Sequence, residues 1–400
     1  MMDARNWGYP PHNREGVRKV QELFPTARLA RDPDRPPAPL GDGAQLDLEA
    51  IRFTAFGGET KSAAAALAES YTDAFLVLQG DAIRHESYGP EMSAESPHLV
   101  NSVTKTVTGL LAGVAVDEGA LSPQDLVADI VPELAASLAW AGVTVRHVLD
   151  MTAGVVYGED YNDRGADFWR EAALVGWRPA LRGSMAERTL IEYAAARSAK
   201  DAEDGARFAY KTLCTNVLGM ALERALKEPL QDALTSRIWA RLPMRHDGAI
   251  VVDAARFPYV GAGLNACARD LAQIGRLMAG LGAVDGAQVV PRAWMEDTLA
   301  GGETSKADFA AGEYGPALPN WHYRNQIWVS GGIAGGAPGA EAVAPAFHAI
   351  GIHGQLIYAE PRSQVVIVKL SGQPFPVDYA MVFDTDRACA AIQEAIASGA

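Results

Sequence analysis

The first strongly apolar run, Ala74-Phe-Leu-Val-Leu, is followed by a Gln79-Gly80-Asp81 turn and by residues 82–88, a pattern that predicts a β-hairpin. Past it the period changes. Val107, Leu110, Leu111 and Val114 recur at spacings of three and four, which predicts a helix running to about Glu118 and stopped by Gly119. The hairpin supplies a sheet for that helix to pack on. From about 104 to 280 the pattern stays mainly helical, with helices predicted over 145–151, 186–196, 213–226 and 268–278. Between the first two of these, residues 152–182 form a long stretch rich in Gly, Asp, Tyr and Trp, and long loops within compact domains tend to carry function. Strands return at 326–329, 356–359 and 365–370, and 385–397 reads as a closing helix. The Gly/Ala/Pro-rich stretch 331–346 reads as a mobile excursion between strands.

Strands, a helical middle, then strands and a final helix describe an α/β chain of the α+β type. The expected architecture is an antiparallel sheet flanked by helices, contributed by 46–100 and 285–400, with a mainly helical subdomain inserted over 101–284 and the active site between the two. Residues 1–45, with Pro33 to Pro39 unsuited to a helix, read as an extended arm on the surface. With 400 residues, nearly half of them apolar, the chain can bury a large core.

The formal net charge of −14 argues against a nucleic-acid partner, which would need a basic face. Cys214, Cys267 and Cys389 are odd in number, far apart and without CxxC spacing, so reduced thiols are expected. Without HExxH or a clustered His and carboxylate spacing, neither a metal nor another cofactor is expected. The N-terminus has no positive region followed by an apolar stretch, and no run approaches a membrane span. A cytoplasmic protein acting on a small molecule, with no membrane partner, fits these bounds, and a homodimer is left open.

Chemistry enters at Ser102-Val103-Thr104-Lys105, which opens the first helix. Positions i and i+3 share a helix face, so the Lys105 amine can lie against the Ser102 hydroxyl. Serine is a poor nucleophile until its proton is removed, and an amine removes it only when burial lowers its pKa. The plainer alternative is that Ser102 is a helix cap. A further proton-handling group is offered by Tyr210. A phenol works as acid or base when a nearby cation favours phenolate, and Lys105 would be that cation; the plainer alternative is a core aromatic.

With these residues in order, the chain resembles the serine hydrolases of the β-lactamase and penicillin-binding-protein superfamily. The likeness is to the class C-like branch, with its carboxylesterases and nylon-oligomer (6-aminohexanoate-dimer) hydrolases. Three boxes carry it: Ser102-Val-Thr-Lys105; Tyr210-Lys211-Thr212, where class C enzymes have Tyr-x-Asn; and Phe347 to Gln355, where lactamases carry Lys-Thr-Gly. Further segments similar to the nylon-oligomer branch are Trp7 with Pro10 to Arg14, Val145 to Gly154 leading to Glu159-Asp160-Tyr161, Gly263 to Leu271, and Tyr323 to Trp328. Thr212 in place of Asn and the missing Lys-Thr-Gly make a good β-lactamase improbable.

The resemblance implies hydrolysis of a small linear amide, of the 6-aminohexanoate-oligomer kind, or of an ester through an acyl-enzyme. Ser102 would be the nucleophile, with Lys105 and Tyr210 sharing the proton traffic and either serving as immediate base. The oxyanion hole would use the backbone N–H of Ser102 and of Ile350, with Ala349 the alternative register. Tyr161, Asn265 and Trp328 would contact substrate. The rivals are a promiscuous carboxylesterase with little amidase activity and a non-catalytic ligand sensor of penicillin-binding type. A Ser-His-Asp triad using His348 or His353 is disfavoured because the chain has no Gly-x-Ser-x-Gly elbow.

Overall fold

The computed structural model describes residues 1–179, 186–331 and 344–399. Most of the stretch read as an excursion, 331–346, therefore lies outside the described residues. The hairpin forms as its pattern dictates: Thr72–Gln79 and Ala82–Tyr88 pair antiparallel around Gly80, whose φ of +62° suits glycine. On its other edge Thr72–Gln79 pairs with Val365–Ser371, from the far end of the chain. The resulting eight-stranded sheet runs His322–Arg324, Ile327–Ser330, Ala346–Gly351, Gln355–Glu360, Val365–Ser371, Thr72–Gln79, Ala82–Tyr88 and Gly41–Asp42. Its pairings are antiparallel except the last, where Gly41–Asp42 runs parallel to its neighbour.

Side chains on a strand alternate between faces, and here both faces are covered. Ala74, Leu76 and Leu78 join Val366, Val368 and Leu370 in the larger core. Phe75, Val77, Val365 and Ile367 form a second core with Ala388, Cys389, Ile392 and Ile396 of the closing helix, Tyr379–Ala397. That helix begins earlier than its apolar period suggests because the Asp378 carboxylate accepts a hydrogen bond from Met381 N at 3.0 Å and caps it. On the larger-core face, helix Ala268–Ala279 comes close enough that a Cβ on Gly275 would lie 2.3 Å from Val366 Cγ1.

Two expectations need correction. Residues 1–45 are not extended throughout: short helices Asn13–Gly16 and Val20–Leu23 precede strand Thr26–Leu29. The apolar side chains of this arm dictate that shape, since Trp7, Val17, Val20, Phe24 and Leu29 are all buried and Trp7 Nε1 donates to Trp177 O at 3.2 Å. The helical middle also contributes strands. Thr26–Leu29, Gly248–Val251, Leu264–Ala266 and His98–Leu99 form a second, four-stranded sheet in that order. Strands of two to four residues leave too short a run for a period of two to be visible.

The predicted helix after the hairpin spans Val103–Asp117 and is buried on almost every side. Two glycines allow it. A Cβ on Gly109 would lie 2.1 Å from the Asn325 carbonyl oxygen, and one on Gly113 would lie 2.6 Å from the Trp294 ring. Backbone cannot yield as a side chain can, so Gly109→Ala is expected to destabilise the fold by about 1–3 kcal/mol. A thermal melt checks this; an unchanged melting temperature would contradict the packing described.

Candidate active site

Asn101 holds a left-handed φ of +47°, a conformation asparagine tolerates, and turns the chain into the helix at Ser102. Ser102 occupies the N-cap position but its side chain makes no capping hydrogen bond. Its Oγ instead accepts from Lys105 Nζ at 2.9 Å, one helical turn on. The cap alternative is therefore not what the hydroxyl does. Lys105, only 1% exposed, also donates to Thr212 Oγ1 at 2.9 Å and to the Gly261 carbonyl at 2.7 Å. Burial pushes its amine down to about 8, against the upward pull of the Glu159, Glu171 and Cys214 charges.

Tyr210 immediately precedes helix Thr212–Leu226. Its ring centroid is 4.9 Å from Lys105 Nζ, and it lines the same cavity as Ser102. The expectation that Lys105 would favour phenolate does not hold. Burial, reinforced by Glu159, pushes the Tyr210 hydroxyl well above the ordinary phenol range, so it stays protonated. Lys211, also buried, donates to Ala153 O at 2.9 Å and Val155 O at 2.6 Å, tying the start of the long loop to this helix.

Sequence reasoning gave no role to two carboxyl groups behind the lysine, Glu159, half-buried, and Glu171, buried. Glu159 accepts from Thr212 N at 2.6 Å, Thr212 Oγ1 at 2.7 Å and Tyr161 Oη at 2.7 Å. Glu171, on helix Asp167–Leu174, accepts from Asn216 Nδ2 at 2.8 Å, and Asn216 Oδ1 in turn accepts from Gly261 N at 3.0 Å. Each of the two acceptors that Lys105 uses besides Ser102 is thus held in place by a carboxyl group. Glu159 stood in a segment noted for its likeness to a family, but neither residue had a spacing that marked it.

Ser102 opens on a cavity whose lining includes Tyr161, Tyr210, Trp328, Trp321, Ile350 and Val377. Tyr161, Trp328 and Ile350 are thereby brought to the same cavity as Ser102. Ala349 is fully buried in the larger core and does not line the cavity. The strand end reaches the serine through Gly351, where a Cβ would lie 2.4 Å from Val100 O and 3.2 Å from Ser102 N. Asn265 is not brought to the cavity: it sits in strand Leu264–Ala266, not in a turn as its glycines suggested, and its amide donates to Gly263 O at 3.0 Å.

His348 lines the cavity, but its Nε2 pairs with Ser330 Oγ at 3.0 Å and its Nδ1 is 3.6 Å from Asp386, beyond a good hydrogen bond. Burial lowers it to about 3, which makes it a poor base. His353 Nδ1 is engaged with Gln373 O at 2.7 Å. Elsewhere, the described residues bring His246, Cys267 and Asp270 within 4.8 Å of one another, a grouping the spacing did not reveal. Their atoms already serve local bonds: His246 Nδ1 to Asp270 at 3.0 Å, Cys267 Sγ to Glu95 O at 3.2 Å, and Arg245 N to Asp270 at 2.6 Å.

Comparison with known proteins agrees with this geometry. The family described as Beta-lactamase matches residues 61–390. A 6-aminohexanoate-dimer hydrolase of Paenarthrobacter ureafaciens is 34% identical over 372 residues, covering 93% of this chain and 88% of the relative. Among solved structures, a Bacillus anthracis protein provisionally named a 6-aminohexanoate-dimer hydrolase superposes with a TM-score of 0.86 at 22% identity, covering 99% of this chain and 97% of that one. A family VIII carboxylesterase gives 0.56 at 14% identity, covering 88% of this chain and 99% of its own. At these identities the structural likenesses speak for the fold alone.

Glu171 Oε2 has no hydrogen-bond partner among the described residues, and burial pushes this carboxyl up to about 8 from the ordinary 4.5. Between those two values the folded chain holds a proton that the unfolded chain has released, so this group's contribution to stability is lost as pH rises through that window. Glu171→Gln removes the titration. The melting temperature of the variant relative to the unsubstituted protein is expected to rise from pH 5 to pH 8; a difference constant across that range would refute the assignment.

Proposed function

The chain belongs to the β-lactamase family, and from that premise we propose that it is a serine hydrolase that cleaves a small linear amide, of the 6-aminohexanoate-oligomer kind, or an ester through an acyl-enzyme. The observation that carries the reading is the set of partners around Lys105. A neutral amine has two hydrogens and one lone pair. The Gly261 carbonyl takes one hydrogen, and Thr212 Oγ1, whose own hydrogen goes to Glu159, takes the other. The lone pair is left for the Ser102 hydroxyl.

Ser102 Oγ attacks the substrate carbonyl as its proton passes to Lys105. The oxyanion is met by the N–H of Ser102 and by that of Ile350, at the end of strand Ala346–Gly351, which lines the same cavity. Tyr210, kept as a phenol and lining the same cavity as Ser102, hands a proton to the leaving amine or alcohol and is resupplied from Lys105. Water then attacks the acyl-enzyme by the reverse proton path, releasing the acid and restoring Ser102. Tyr161 and Trp328 supply walls for the substrate beside the reacting carbonyl.

The aromatic and aliphatic walls of the cavity favour a second reading, a carboxylesterase with little amidase activity. Turnover of the 6-aminohexanoate linear dimer against short p-nitrophenyl esters separates the two, and activity confined to esters would leave only the second. For either, mass spectrometry after a fluorophosphonate is expected to find one adduct, on Ser102, absent in Ser102→Ala; an unmodified Ser102 would sink both.

Because the neutral form of Lys105 is the active base, kcat/KM for an ester is expected to rise with pH through a midpoint near 8 and level off above it. A profile flat between pH 6 and 9 would remove Lys105 from the role of base.

A further inference from the structure

Thr212 raises a problem that the rest of the site has to solve. A hydroxyl both donates and accepts, so it could turn its hydrogen toward the Lys105 nitrogen and occupy the lone pair that Ser102 needs. An asparagine at this position would offer a carbonyl oxygen that accepts unaided. The threonine needs its hydrogen drawn elsewhere, and its Oγ1 donates to Glu159 Oε1 at 2.7 Å. Resting on the hydrolase reading above, we propose that Glu159 is a positioning residue. By accepting the Thr212 hydrogen it fixes that hydroxyl as an acceptor and so aims the Lys105 lone pair at Ser102.

Glu159 is itself held firmly enough for the task. Its second oxygen accepts from Thr212 N at 2.6 Å, at the start of a fifteen-residue helix whose dipole favours a negative group there. The oxygen that faces the Thr212 hydroxyl also accepts from Tyr161 Oη at 2.7 Å. Tyr161 lines the cavity, so a single carboxylate oxygen joins a substrate-facing side chain to the partner of the base. The charged and titratable groups that face Lys105 are Glu159, Glu171, Cys214 and Tyr210. Loss of the Glu159 charge removes one of the influences that hold the amine's pKa up, which predicts a displaced pH profile as well as a slower reaction.

The experiment is the rate at which a fluorophosphonate modifies Ser102, followed by mass spectrometry between pH 6 and 9. Glu159→Gln is expected to slow modification roughly tenfold or more at the high-pH plateau and to move the midpoint to lower pH. Adding Thr212→Asn to Glu159→Gln is expected to bring the rate back to that of Thr212→Asn alone, because the carboxamide oxygen no longer needs Glu159. Modification of Glu159→Gln at the unsubstituted rate and midpoint, even with a lowered melting temperature, would overturn this role and leave the hydrolase reading standing. Failure to modify Ser102 in the unsubstituted protein would overturn both. Should Glu159→Gln not fold, Thr212→Val, which keeps the shape and deletes the hydroxyl, must show the same slowing, and an unslowed rate there overturns the role as well.

Discussion

A buried amine sets the terms for everything around it. Lys105 is shut away from water between two helices, and an ammonium in that position is expensive to keep charged unless every hydrogen finds an acceptor. Its three partners come from three distant parts of the chain: the hydroxyl one turn behind it, the first residue of the second helix and a carbonyl in the turn ahead of strand Leu264–Ala266. Only the first is placed by local structure; Thr212 and Gly261 are brought in by the fold. The close approach of the Ser102 helix to the Asn325 and Trp294 segments, which glycines permit, fixes where the amine can reach. Thr212 and Gly261 are then held in position from behind by Glu159 and by the Asn216–Glu171 pair. The site is therefore two layers deep, and its outer layer carries two carboxyl groups, Glu159 half-buried and Glu171 buried.

That layering explains what could be read from the residues and what could not. The hairpin, the Ser102 helix and the helix Thr212–Leu226 each repeat a local period over enough residues to be recognised. Ser102 and Lys105 were visible because their relation is itself local, one turn of a helix. Tyr210 emerged only from order along the chain, since nothing near it in sequence distinguishes it from a core aromatic. Glu159 and Glu171 had no such signal: a glutamate in a loop and another on a short helix look solvated, and only the folded chain half-buries the first and buries the second. Asn265 misled for the opposite reason. Two glycines beside it suggested a turn, yet pairing with Leu99 and Ala249 makes it a strand residue that never reaches the cavity.

Acceptance of Thr212 where the class C pattern has asparagine is likewise a matter of the outer layer. A hydroxyl has less directional information than a carboxamide, and the missing information is supplied by a neighbour. Taken residue by residue the second box looks degraded; taken together with Glu159 it has the same acceptor facing the amine. The third box follows a related logic, since a backbone donor on a strand leaves its side chain free to differ and asks only that Gly351 allow the strand to come close.

The sheet that supports this arrangement joins Thr72–Gln79 directly to Val365–Ser371. Such pairing has a temporal meaning. A chain emerging from the ribosome presents Ser102, Lys105 and Tyr210 long before the strand that must lie beside the first hairpin exists, and the hairpin waits with one edge bare. Synthesis must be nearly finished before Gly351 can come up against Ser102, so the cavity beside that serine is closed by the last strands to be made, whatever fraction of the helices has formed.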